Sequence, residues 1–383
     1  MAANRTLILK NCRLYNHLNE ALVHIVIENG RIRSIGSEPE DNSSECIDVA
    51  GKIVAPGFID VHIQGAGGCD VLDALVDSLK TMSKTLARFG VTGFLATTVM
   101  DPVQENNHLK ILANHWKDDL GGARILGLHL EGPFINPEKR GGIARSAIYP
   151  PTKERLGKIL DLTGNSLKMM TIAPELEGSG YIIDQLIQFG CIPSFGHSAA
   201  NYQQAKEAFN NGIEHVTHIF NAMPPLHHRE PGPLLAILES ETVSVQIISD
   251  GVHLHPGIVR YLNHVIGIDR CVCITDGIQA IGLPEGKYRY NNRDYFSKNG
   301  AARYEDGTLI GTALALNEIG ARFQKFTNCN LEEAVDSISL NPARLLGLDD
   351  RKGYIQAGKD ADLVVMNSDF NVDLTIVSGE AVY

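Results

Sequence analysis

No stretch of this chain is apolar for the roughly 18 residues that a membrane-crossing helix requires. Residues 1–9 lack the apolar core of a secretion signal. A cytoplasmic protein is therefore the expectation, with no membrane as a partner. There is also no excess of positive charge: the formal net charge is −11. An acidic surface has no general attraction for nucleic acid. An anionic small molecule would have to be held by a local basic pocket. The seven cysteines, Cys12, Cys46, Cys69, Cys191, Cys271, Cys273 and Cys329, include no Cys-x-x-Cys. An odd number without ribbon spacing reads as free thiols. Cys271 and Cys273 sit two apart in an apolar run, the spacing of two core-facing strand residues. Internal repeats and low-complexity tracts are missing, as are a nucleophile elbow and a phosphate loop. Gly65-Ala-Gly67-Gly68 reads as a turn that needs positive φ.

What is present is the composition of an ordinary globular enzyme of 383 residues, 44% hydrophobic and 21% charged. Both ends carry short alternating strands, at 6–9, 21–28 and 31–35 and again at 353–355, 362–366 and 374–377. They predict one small β-sandwich built from both termini, residues 1–55 plus 345–383. Between them, apolar runs at 57–63, 93–99, 124–130, 166–172, 191–195, 215–220, 244–248 and 271–274 alternate with helical patterns such as 75–89, 182–189 and 199–210. Eight β-then-α units predict an α/β fold with a (β/α)8 barrel over 56–344. An open doubly wound sheet would show the same alternation. Two more helices are expected at 313–326 and 331–339, the second capped by Asn330.

Polar residues fall at the C-terminal ends of these runs: His62, Glu131, His197, His218 and Asp276. Barrel strands deliver such residues to one mouth. One glutamate and two histidines make a three-ligand set for a catalytic divalent metal, with a position left for water. The ion would lower that water's pKa from about 15.7 towards about 7. Asp276, a carboxylate outside the set, is placed to carry the proton to a leaving amine. A lone strand histidine is more often packed or solvated than a ligand. His24, His108, His115 and His264 are read that way. Of His215 and His218, alternation sends only one into the barrel. The loop Asn221–Arg229 follows the sixth run. Arg229 can grip a phosphate with two bonds, helped by backbone N–H groups of Asn221 and Ala222 and by His253, although from these residues alone a plain loop charge is the favoured reading of Arg229.

His129-Leu-Glu131-Gly-Pro-Phe-Ile, Gly196-His197-Ser, Thr217-His218-Ile-Phe-Asn221-Ala222-Met, Asp250-Gly-Val-His253, Ile274-Thr-Asp276-Gly and Leu309-Ile-Gly311-Thr312 resemble the N-acetylglucosamine-6-phosphate deacetylases. Pro56-Gly-Phe-Ile-Asp60, Asn341-Pro-Ala-Arg and Gly358-Lys-Asp-Ala-Asp362 are similar to the wider amidohydrolase superfamily. The resemblance spans nearly the whole chain. It implies a barrel with a terminal β-sandwich, usually as a homodimer, acting on a small sugar phosphate. It implies Glu131, His197 and His218 around one divalent ion, zinc first and iron or another divalent ion otherwise. Asp276 would be the general base and then the acid. Gly142, Asn221, Ala222, Arg229, His253 and Ile310 would line the substrate site, with Arg229 reaching the neighbouring subunit and 309–312 forming a loop against the substrate. The implied reaction releases acetate from N-acetylglucosamine-6-phosphate. The alternatives are another N-acetylated sugar phosphate such as the galactosamine epimer, another amide, or a non-catalytic scaffold of the same fold.

Two positions depart from the family pattern. The superfamily's His-x-His is here His62-Ile-Gln64, so a single strongly held ion is expected and His62 is at best a weak second ligand. The family's polar residue after Gly-Ala is here Ile143, which cannot donate a hydrogen bond. Losing one such donor costs about 10²–10³ in rate, unless Arg145 or another donor replaces it or the substrate differs.

Overall fold

The eight parallel strands are Phe58–Ile63 (β1), Val91–Thr98 (β2), Arg124–Glu131 (β3), Leu167–Ile172 (β4), Ile192–Phe195 (β5), His215–Val216 (β6), Ser244–Ile247 (β7) and Cys271–Cys273 (β8). The computed structural model describes residues 6–36, 45–290 and 293–383. Residues 1–5, part of the segment read for a secretion signal, lie outside it. Each strand pairs with the next in chain order. The ring closes where Asp276 N–H donates to the His62 carbonyl at 2.9 Å and Gln64 N–H to that of Gly277 at 2.8 Å. Asp60 reinforces the seam: it is buried, and its carboxylate accepts the Thr275 hydroxyl at 2.6 Å. The (β/α)8 expectation thus holds.

Alternation sorts the strand residues. Val272 and Ile274 join Ile59, Leu95 and Met169 in one buried cluster. Cys271 and Cys273 face the larger cluster formed with helix residues such as Leu79, Met82 and Leu262. The helix Leu331–Ile338 is capped as expected, the Asn330 side chain accepting from Glu333 N–H at 2.8 Å. Among the described residues no helix is long and apolar enough to cross a membrane.

Both termini feed one sheet. Its strand order is Glu380–Ala381, Val372–Val377, Leu363–Met366, Ile53–Pro56, Thr6–Leu14, Val23–Glu28 and Arg31–Gly36, with Glu45–Asp48 also on Thr6–Leu14. Leu7, Leu9, Ile25, Ile27, Val54, Leu363 and Ile376 form its own core.

Three expectations change. The run 353–355 is not a strand. Gly353 instead bends at φ +92 against Leu340, where a Cβ would lie 2.9 Å from the Leu340 Cα. The run 215–220 is a strand only over His215–Val216, because positive φ at His218 and Phe220 breaks the extended backbone. The segment 309–312 is a strand, Leu309–Thr312, not a loop. It belongs to an unanticipated antiparallel sheet with Gly286–Tyr290, Arg293–Lys298 and Ala301–Tyr304, inserted after β8.

The glycine-rich turn behaves as expected, with Gly67 and Gly68 at φ +64 and +86 between the short strands Gly65–Ala66 and Cys69–Asp70. Asp70 Oδ1 accepts from Leu72 N–H at 2.8 Å, while its Oδ2 is buried with no partner among the described residues. Burial pushes Asp70 up to about 8; the Leu72 bond opposes the rise and the Asp73 carboxylate adds to it. The folded chain therefore keeps a proton that the unfolded chain releases near pH 4. Stability contributed at this position falls as pH rises from about 4 to about 8. Asp70→Asn should remove that slope. Relative to the variant, the wild-type Tm should drop by about a few degrees between pH 5 and pH 8. Parallel Tm curves would show that Asp70 does not titrate in this range.

Candidate active site at the barrel mouth

Glu131 is the last residue of β3, His197 and His218 each lie two residues past β5 and β6, and Asp276 lies three past β8. The last three adopt left-handed backbone, with φ of +48, +25 and +47. Such a conformation costs about 1–3 kcal/mol at a residue with a side chain and persists only where the surroundings hold it. Here they do. Thr217 N–H donates to Phe195 O at 2.8 Å, Ile219 N–H to Gln246 O at 3.0 Å, and Thr312 N–H to Asp276 O at 2.9 Å. The sharp turns swing all three side chains into one cavity.

Glu131 Oε1 lies 3.0 Å from both His197 Nε2 and His218 Nε2, and the two nitrogens are 3.1 Å apart. Among the described residues this trio is the one group of metal-ligating atoms drawn together in this way. The donor chemistry fits a divalent cation. The His197 Nδ1 proton is directed to the Lys139 carbonyl at 2.7 Å, which leaves the Nε2 lone pair facing Glu131. All three side chains are nearly or fully out of solvent. Burial pushes Glu131 up, but His62, His197 and His218 together hold it well below the usual carboxylate range. Burial pulls His218 down, towards the neutral form a ligand needs.

His62 Nε2 lies 3.3 Å from Asp276 Oδ1 and 3.6 Å from Glu131 Oε1. Its Nδ1 meets Gln246 Oε1 at 2.9 Å. Burial lowers His62, yet the charges of Glu131 and Asp276 outweigh it and draw the imidazole up to about 9. His253 stands on the other side, with Nε2 3.9 Å from Asp276 Oδ2 and Nδ1 2.6 Å from Asp250 Oδ2. Burial raises Asp250, and His253 brings it below its ordinary value. His215 is a packed histidine: Nδ1 meets Ser244 Oγ at 2.7 Å, and burial pushes it down to about 3.

The cavity is an open space of about 670 Å³, a size typical of small-molecule sites. Gly142, Asn221, Ala222, His253 and Ile310 line it beside the three candidate ligands and Asp276. Arg229 does not. It stands exposed on its loop, its Nη1 2.8 Å from His228 Nε2. Asn221 supplies no free N–H either. The turn at Phe220 closes its backbone N–H onto His218 O at 3.0 Å, and its side-chain amide donates to His218 O and Ile219 O. Arg145 is no substitute donor for Ile143, since it is exposed beside Glu138. The wall also contains Gln64 and Tyr290, to which the sequence reading gave no part in the site. The alternation Lys287-Tyr288-Arg289-Tyr290 was the available signal for that strand.

The sequence model of the Amidohydrolase family matches residues 187–382. An N-acetylglucosamine-6-phosphate deacetylase of Bacillus subtilis (strain 168) is 36% identical, covering 94% of this chain and 92% of that protein. An N-acetylgalactosamine-6-phosphate deacetylase of Escherichia coli O157:H7 is 33% identical over 86% and 87%. Among solved structures, a mutant N-acetyl-D-glucosamine-6-phosphate deacetylase of Mycobacterium smegmatis, in complex with N-acetyl-D-glucosamine-6-phosphate, aligns over all of both chains. Its TM-score is 0.89 and its identity 30%.

Proposed function

The chain belongs to the N-acetylglucosamine-6-phosphate deacetylases of the amidohydrolase family, and from that premise we propose how its residues hydrolyse the acetamide of N-acetylglucosamine-6-phosphate to glucosamine-6-phosphate and acetate. The observation that carries the reading is the meeting of Glu131, His197 and His218 beside the separate carboxylate of Asp276. These three residues would hold one divalent ion, zinc in the first instance. When bound, such an ion makes water a nucleophile at neutral pH and polarises the amide carbonyl.

The chain's own groups do the rest. Asp276 accepts a proton from the attacking water as the C–O bond forms at the amide carbon, then returns it to the nitrogen of the tetrahedral adduct, so that the C–N bond breaks and the amine and acetate separate. His62 steadies the Asp276 carboxylate from one side. His253, oriented by Asp250, faces it from the other and reaches the sugar phosphate. Gly142 and Ile310 pack against the sugar. Ile143 leaves the acetyl oxygen without a side-chain donor at that position.

Arg229 lies outside its own chain's cavity, which supports a role in the neighbouring copy of a homodimer. Arg229→Ala should raise KM by about 10- to 100-fold for the phosphorylated sugar, the worth of a charge-assisted hydrogen bond. KM for the unphosphorylated sugar should stay unchanged. An equal effect on both would remove the phosphate role. Mixing the Arg229→Ala and Asp276→Asn chains should restore turnover at low substrate, with a wild-type KM that neither variant shows alone. A mixture that keeps the raised KM of Arg229→Ala would place Arg229 in its own chain's site. The galactosamine-named relative favours a second reading, the epimeric substrate. Acetate release from the two epimers, compared side by side, decides between them.

A further inference from the structure

Tyr290 comes from the inserted sheet, 226 residues after Gln64, yet its hydroxyl donates to Gln64 Oε1 inside the cavity wall. The Tyr290 ring is buried in that sheet's own apolar cluster with Ile278, Tyr295 and Ile310. Burial, and then the carboxylates of Asp70 and Glu131, push the phenol well above its ordinary range, so it remains an O–H donor. With its oxygen taken, Gln64 turns its amide N–H₂ towards Glu131, 3.4 Å from Oε2. The two oxygens of Glu131 are thereby divided. Oε2 faces the amide, and Oε1 faces His197 and His218. A flipped Gln64 would press its carbonyl against the carboxylate. Groups that hold a metal-ligating side chain from behind commonly set its affinity for the ion.

We infer that Tyr290 is a positioning residue, acting through Gln64 to hold the Glu131 carboxylate with one oxygen turned to the metal. The inserted sheet is then part of the metal centre, not only its cover. The inference rests on the reading of Glu131, His197 and His218 as the ligands.

The test uses the full-length holoenzyme, with zinc as the probe ion and a competing chelator to read affinity. Tyr290→Phe keeps the ring and removes the hydroxyl. It should weaken zinc binding by about 10- to 100-fold. At limiting zinc kcat should fall in proportion, excess zinc should restore it, and KM should not move. Adding Tyr290→Phe to Gln64→Leu should weaken zinc no further than Gln64→Leu alone. Tyr304→Phe, in the same sheet, removes a buried hydroxyl that has no partner among the described residues. It should bind zinc as the wild type does. A Tyr290→Phe protein that holds zinc as tightly as the wild type, or that changes KM alone, overturns the inference. Glu131→Gln in the same assay tests the parent reading. If it loses zinc while Tyr290→Phe keeps it, only the positioning role fails. If it too keeps zinc, the ligand assignment fails as well.

Discussion

Asp276→Asn should retain its metal and lose about 10²- to 10⁴-fold in kcat, the range that a positioned general acid–base contributes. The substitution preserves shape and hydrogen-bonding reach but cannot shuttle a proton. Asp276 stands beside the trio of ligand atoms, 3.3 Å from His62 Nε2, and its backbone is locked by bonds to the first barrel strand and to Thr312. Asparagine also tolerates left-handed backbone better than most residues, so the φ of +47 is no obstacle to folding. KM should change little. Metal analysis separates two ways of being wrong. A variant with wild-type turnover would remove Asp276 from proton transfer. A variant that loses the ion along with its activity would make Asp276 a ligand.

Glu131→Gln should reduce bound metal from one ion per chain to near none, and turnover should fall to background with it. Glutamine removes the one negative charge among the three candidate ligands, where His197 and His218 both lie 3.0 Å from the same oxygen. Thermal stability gives an independent readout. An ion that binds only the folded chain stabilises it by about 2.7 kcal/mol at a hundred times its Kd. Zinc should therefore raise the Tm of the chelator-stripped wild type and leave that of Glu131→Gln where it was. Equal Tm gains in both would place the ion elsewhere.

The meeting of the candidate site residues was legible in the sequence because barrel topology turns strand ends into neighbours. Glu131, His197, His218 and Asp276 stand at the ends of separate apolar runs, and a parallel barrel has only one mouth for them. The same alternation placed Cys271 and Cys273 against the outer helices. Other features were hidden for physical reasons. Periodicity reports which face is buried, not what it meets, so nothing linked Tyr290 to Gln64 across 226 residues. The left-handed backbone at His197 and His218 carries no local signal. Histidine seldom adopts it unaided, and tertiary bonds impose it here. Asn221 looked like a donor towards an anion, but the turn at Phe220 uses its N–H groups internally. Arg229 looked like a partner for an anion, yet its side chain stands outside the cavity of its own chain.

The most direct measurement is acetate release from N-acetylglucosamine-6-phosphate by protein stripped with a chelator and then titrated with zinc. The expected rate is near background at the start, rises in proportion to added ion and levels off at one per chain. Full turnover in the stripped protein, or none in the fully loaded one, would contradict the account.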